Sequence, residues 1–357
     1  MHKTGIASMP LHIGKAPHWL FKRMVALSRA IIELMVIEFG KDEVLRRLSD
    51  PFWFQAFGCI LGFDWHSSGI TTTVTGAIKE AVRGVEKDLG LFVAGGKARK
   101  ALNTPQEIIN YAEKIGFNPE SLIRASRLSA KVDNVAVQDG FSLYHHVIIF
   151  TQEGHWCVIQ QGMNETLSMA RRYHWLSFSL KSFVEEPHEA VCCDIKTRTL
   201  NFTAKESSEL RKTSVAVSQE NPEKIIKEII KIKNLKLPKR HFITTNDINP
   251  KNLYKIFLIT YERQPEDFEA LLEIKGIGAK ALRAIALTSE LIYGTPIIYK
   301  DPARYSFAHG GKDRIPYPVD RKIYDKTIEV IKKAIEEAKI GREEKLSALR
   351  RMSKILI

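Results

Sequence analysis

Residues 271–286 read LLEIKGIGAKALRAIA, and this stretch carries the clearest chemistry in the chain. Gly276 and Gly278 flank Ile277, with Lys275, Lys280 and Arg283 around them. Two glycines two positions apart permit a tight corner and let backbone N–H groups approach an anion with no Cβ in the way. Leu271 and Ile274 before the corner, and Leu282, Ile285 and Ala286 after it, have the spacing of two helices closing on each other. The second helix would add the positive end of its dipole to the anion site. The ligand expected for Lys275, Gly276, Ile277, Gly278, Lys280 and Arg283 is the DNA backbone, bound with little regard to base sequence. RNA is not excluded, because backbone contacts do not by themselves reject a 2′-hydroxyl.

The N-terminal half offers a second kind of chemistry. Asp64 and His66 stand two apart in the Gly/Ser-rich stretch FDWHSSG, residues 63–69. That pattern suits a metal or anion site, or else a capping loop around a buried histidine. Asp133, Asp139, His145 and His146 flank a strand expected at 142–151, and Gln160 and Gln161 lie on its return strand. Acidic residues beside a strand end are the ligands of metal-dependent nucleases. The expected metal ligands are Asp64, His66, Asp133 and Asp139, holding a divalent ion such as Mg²⁺ or Mn²⁺. Asp64, His66, Asp139 and His145 are the candidate catalytic groups. Two features cut against a restriction-type site. Strand alternation sends His145 and His146 to opposite faces, and Gln160-Gln161-Gly162 stands where an acidic-x-Lys pair would be. Arg171, Arg172, Tyr173, His174 and Trp175 mix cations with aromatics and read as a DNA-tracking stretch. The alternative is a basic helix end with Trp175 in the core. Lys312 adds a further candidate cation on the DNA side.

The elements that must position these residues follow from periodicity and caps. Helices are expected at 19–39, 42–47, 71–89, 104–115 and 118–126, with a hairpin at 142–151 and 155–161 and a further strand pair at 190–195 and 197–202. Residues 205–221 are rich in Ser, Lys and Glu and read as a linker. Helices are then expected at 222–233, 250–261, 265–273, 279–293, 321–338 and 342–355. The fold class is α+β, mostly α: a helical domain with a small antiparallel sheet at 1–204, the linker at 205–221, and an all-α helix-hairpin-helix domain at 222–357.

The chain of 357 residues has a net charge of +13, and most of that excess falls in residues 222–357, where the glycine corner lies. Such a balance favours a polyanionic partner. The four cysteines, Cys59, Cys157, Cys192 and Cys193, form no C-x-x-C pair and read as buried, reduced thiols. The apolar run at 31–39 is broken by Glu33 and Glu38 and is too short to span a bilayer. No membrane association is expected, and the location expected is cytoplasmic, near the nucleoid.

Several stretches together carry a resemblance: GIASMPLHIGKAPHWL (5–20), FDWHSSGITTTVTGAIK (63–79), VDNVAVQDGFSLYHH (132–146), QQGMN (160–164), ARRYHW (170–175) and DPARYSFAHGGKDRIPYPVDRKIYD (301–325). On these the chain resembles the prokaryotic domain-of-unknown-function 763 family over nearly its full length, and that resemblance implies no reaction. From residue 265 onward the chain is similar to the helix-hairpin-helix DNA glycosylase superfamily. This likeness implies that Lys280 takes the place of the lyase lysine and Pro318-Val319-Asp320 that of the catalytic aspartate segment. Lys280 would attack a sugar C1′, and Asp320 would stabilise the oxocarbenium charge once the base is flipped out. The other readings are a phosphate contact for Lys280 and a helix N-cap for Asp320. The expected function is DNA binding with DNA processing in repair or recombination, by a metal-dependent nuclease-like centre. The alternatives are a glycosylase or lyase and a non-enzymatic, structure-selective DNA-binding protein.

Overall fold

The computed structural model describes Met9, residues 16–63, 68–234 and 249–303, and the separate positions Glu329, Lys333, Glu336 and Leu346. Asp64, His66, Lys312 and Asp320 lie outside the described residues, as do nearly all of the helices expected at 321–338 and 342–355.

Four helices open the fold: α1 (His18–Phe39), α2 (Lys41–Ser49), α3 (Pro51–Leu61) and α4 (Gly69–Val82). The Asp50 side chain accepts from the Phe52 and Trp53 amides while Pro51 sits in the first turn, which fixes where α3 begins. A short α5 (Glu86–Leu89) leads into β1 (Phe92–Lys97). Next come α6 (Arg99–Leu102), α7 (Thr104–Ile115), α8 (Glu120–Lys131) and a π-helical turn at Val132–Ala136. The strands β2 (Val137–Gln138), β3 (Ser142–Phe150), β4 (Trp156–Asn164), β5 (Met169–Leu176), β6 (Ala190–Cys192) and β7 (Leu200–Asn201) follow. Helices α9 (Ser208–Gln219), α10 (Pro222–Lys233), α11 (Pro250–Arg263), α12 (Phe268–Glu273) and α13 (Ala279–Tyr293) complete the described chain.

The fold is mixed α and β, mostly helical, around one antiparallel sheet of order β1-β3-β4-β5-β6, with β2 and β7 paired separately. The sheet is covered on both faces. Val93, Val147, Ile149, Cys157, Ile159 and Leu176 join the core of α1–α4. Phe92, Ile148, Phe150, Trp156, Val158, Tyr173 and Trp175 join a second core that runs through α8 into α9–α13. Burial on both faces explains why β3 and β4 read as continuous apolar runs and not as alternating ones.

Three expectations are corrected here. Residues 205–221 are no linker. They form a turn at Lys205–Ser207 and helix α9, whose Leu210, Val215 and Val217 are buried in the second core. Arg211 donates to the Phe202 and Ala204 carbonyls at 2.8 Å, and Thr260 Oγ1 donates to the Ser218 carbonyl at 2.7 Å. The segment looked polar because its serines and its arginine are buried on internal hydrogen bonds. The strands expected at 190–195 and 197–202 do not pair with each other: β6 joins β5, and β7 joins β2. Residues 171–175 are neither a helix end nor a surface stretch. They lie in β5, which is buried along its whole length.

Candidate functional site

The glycine corner forms as a helix, a turn and a helix. The Asp267 side chain caps α12 by accepting from the Ala270 amide at 2.8 Å. After α12 the Ile277 amide donates to the Ile274 carbonyl at 3.3 Å, closing the corner. Gly276 has φ +102°, a left-handed conformation that favours glycine. Gly278 is extended, and an added Cβ there would meet nothing within 4 Å. Ile277 is buried at 1 % exposure with Leu271, Leu282 and Ile285 beneath it, whereas Lys275, Gly276 and Lys280 are exposed. No side chain caps α13, and exposed Lys280 stands in its first turn.

One side chain ties the corner to the short β2 strand. Gln138 Nε2 donates to the Ala279 carbonyl at 3.1 Å, and Gln138 Oε1 accepts from Arg283 at 2.9 Å. Arg283 was expected to contact DNA. It is half-buried and donates to Gln138 Oε1.

Beside the corner lies a cleft of about 1130 Å³, walled by α6, α8, β3 and the end of α12. Exposed Arg127, half-buried Lys131 and exposed Asn134 line it, together with Tyr144, Ser126 and His146. Burial lowers the Lys131 pKa and raises that of Tyr144, whose hydroxyl accepts from Gln161 Nε2. Arg124 closes one side by pairing with Glu269 and Glu273 of α12.

His145 and His146 do part to opposite faces of the sheet. His145 Nε2 meets Thr75 Oγ1 of α4 at 2.9 Å, and His146 Nε2 meets Ser126 Oγ of α8 at 2.8 Å. Burial, with His146 and Lys97 nearby, takes the His145 pKa down to about 3. Burial takes His146 down to about 4 against a raising hydrogen bond from Gln160. Both rings are therefore neutral at pH 7.

The proposed metal ligands do not converge. Asp133 accepts from Gln160 Nε2 at 2.5 Å, Trp175 Nε1 at 2.9 Å and His188 Nε2 at 2.5 Å. Asp139 accepts from the Phe141 amide at 2.9 Å, Arg171 at 2.9 Å and the Tyr173 hydroxyl at 2.6 Å. Each carboxylate is committed to its own buried network, and among the described residues no three His, Cys, Asp or Glu side chains are grouped as a metal site. Asp133 and Asp139 thus do not fit a shared divalent ion, and Asp139 and His145 are buried on internal hydrogen bonds.

Arg171 and Arg172 are corrected too, since both are fully buried. Arg171 bridges Asp139 and, at 2.8 Å, Asp301, whose Oδ2 also accepts from the Thr197 amide at 2.6 Å. Burial opposes the Arg171 charge, but these carboxylates outweigh it and raise its pKa. Arg172 points to the other face. It donates to Gln55 Oε1 at 2.9 Å, with its guanidinium 4.7 Å from the Phe54 ring centroid. Burial lowers its pKa to about 10. Neither arginine reaches a surface strand.

The comparisons bear on this chain at one level. The family model described as "Protein of unknown function (DUF763)" matches residues 5–319.

The chain belongs to the DUF763 family.

No curated protein and no solved structure matches this DUF763 chain. In this member Ser126 and Gln160 are the residues that sequence reasoning missed or misplaced. Gln160 was visible as a departure from a nuclease pattern. Ser126 gave no signal, because α8 meets β3 only through tertiary packing. All four cysteines are buried and free, as expected. Among the described residues no helix is long and apolar enough to cross a membrane.

Proposed function

We propose that this protein binds DNA without sequence preference through the glycine corner, and that the strand continues along the cleft beside it. The role proposed for that binding is DNA processing during repair or recombination. The observation that carries the reading is the corner itself. Gly276, Lys275 and Lys280 are exposed and Gly278 is half-buried, no side chain caps the helix that follows, and Ile277 and Gln138 hold the corner in place. A pre-set anion site on a helix N-terminus gains affinity because little ordering is left for binding to impose. Arg127 and Lys131 extend the positive surface into the cleft. Lys280 sits exposed beside the corner, in the place of a phosphate contact.

Photo-cross-linking with an oligonucleotide carrying thio-substituted bases tests the placement. The expected adducts fall in peptides spanning 271–293 and 120–134. Adducts confined to other parts of the chain would overturn it. The same experiment with RNA of equal sequence shows which backbone is preferred.

A further inference from the structure

The polarity of four linked side chains is set from one end. Trp175 Nε1 can only donate, and it bonds Asp133 Oδ2 at 2.9 Å, so that oxygen is an acceptor. Gln160 Nε2 donates to the same oxygen at 2.5 Å, which fixes the orientation of the amide. Gln160 Oε1 therefore faces His146 Nδ1 at 2.8 Å and takes its hydrogen. A neutral imidazole protonated at Nδ1 carries its lone pair on Nε2. That lone pair faces Ser126 Oγ at 2.8 Å, so the serine hydroxyl is the donor. Ser126 and His146 both line the cleft beside the corner.

We propose that Ser126 is a nucleophile toward a phosphoester seated in this cleft, with His146 as its base and Gln160 and Asp133 holding that base. The arrangement is a nucleophile, a base within hydrogen-bond reach and a third group orienting the base. In the step, Ser126 Oγ attacks phosphorus; the Oγ–P bond forms and the bond from phosphorus to the leaving sugar oxygen breaks. The serine proton passes to His146 Nε2 and then to the leaving oxygen. Water next attacks phosphorus and gives its proton to His146 Nε2; the Oγ–P bond breaks, and His146 passes that proton to Oγ to restore Ser126. Arg127 and Lys131, on the same cleft, face the developing phosphoryl charge. Ser126 is 3 % exposed, so only a group seated in the cleft reaches it.

The substrate class rests on the nucleic-acid reading above; the nucleophile itself can be tested apart from it. The full-length protein is treated with a fluorophosphonate, a small phosphorus electrophile, and adducts are located by peptide mass spectrometry. The expected result is an adduct on Ser126, absent from Ser126→Ala and slowed about tenfold in Gln160→Met. No adduct on wild-type Ser126, or an unchanged rate in a folded Gln160→Met protein, overturns the proposal. Wild-type labelling decides alone if Gln160→Met does not fold. Excess single-stranded DNA is expected to slow the labelling. Labelling indifferent to DNA overturns the phosphoester of nucleic acid as substrate, and the binding measurements then show separately whether the corner holds DNA at all.

Discussion

Gln138 Nε2 donates to the carbonyl of Ala279 across 3.1 Å, so one side chain from the short β2 strand holds the first residue of α13. The same amide also donates to the Val135 carbonyl at 3.0 Å, and its oxygen accepts from Arg283. The corner is thus tied to the β2 strand and the turn before it, and not merely carried on a helix pair.

Replacing Gln138 with leucine removes all three bonds. The expected cost is about 1–3 kcal/mol of stability, since acceptors and a donor lose their partner in a half-buried place. DNA affinity is expected to fall several-fold, because the corner loses its preset position. Melting curves and fluorescence anisotropy check the two effects. A Gln138→Leu variant with wild-type stability and affinity would show that this tether does not position the corner.

Stability should fall as pH drops below about 6.5. His145 and His146 have folded pKa values of about 3 and about 4, and His174 lies well below its ordinary value through burial. Depressed values mean that the unfolded chain binds more protons between about pH 4 and 6.5, so stability rises with pH across that window and levels off above it. Each histidine contributes about 1.4 kcal/mol per pH unit there. Urea midpoints between pH 7.5 and pH 5 check this, and His145→Gln should flatten the slope. A midpoint that does not move between those limits would contradict the neutral, buried assignment.

Replacing Arg171 with methionine strands Asp139 and Asp301 without their cation. Breaking one side of such a buried network costs about 3–5 kcal/mol. The stretch after α13 that carries Asp301 should come loose, since Asp301 joins it to Arg171 and to the Thr197 amide. Limited proteolysis is expected to cut near residue 300 in this variant and not in the wild type. Equal resistance in a folded variant would assign the anchoring to other contacts.

Much of this was legible in the residues, and the failures share a cause. Helix α7 follows from Pro105 in its first turn and Gly116 after its end, and the β3–β4 hairpin from turn residues and β-branched runs, which are local signals. The glycine corner was legible for the same reason, because a corner is made by neighbours in sequence. Strand β5 was missed because Arg171 and Arg172 look like surface cations, and only their distant partners Asp139, Asp301 and Gln55 make them interior residues. Strand β1 was missed because Gly95 and Gly96 weaken its pattern, although Gly95 lies where an added Cβ would meet the His146 carbonyl oxygen at 2.3 Å. The pairing of two of the expected metal ligands misled in the same way. Asp133 and Asp139 are close in sequence, yet each serves a separate buried network.

The most direct measurement is anisotropy of a labelled oligonucleotide against salt, for the wild type, Gly278→Val and the Lys275→Ala/Lys280→Ala double variant. Valine at Gly278 has open space and an extended backbone, so the variant should fold, losing about 1 kcal/mol at most because valine is a poorer helix N-cap than glycine. The account predicts salt-sensitive wild-type binding, at least about tenfold weaker binding for Gly278→Val, and a log–log salt slope shallower by about two in the double variant. Binding that is absent at low salt, or that is unchanged in both variants, would contradict it.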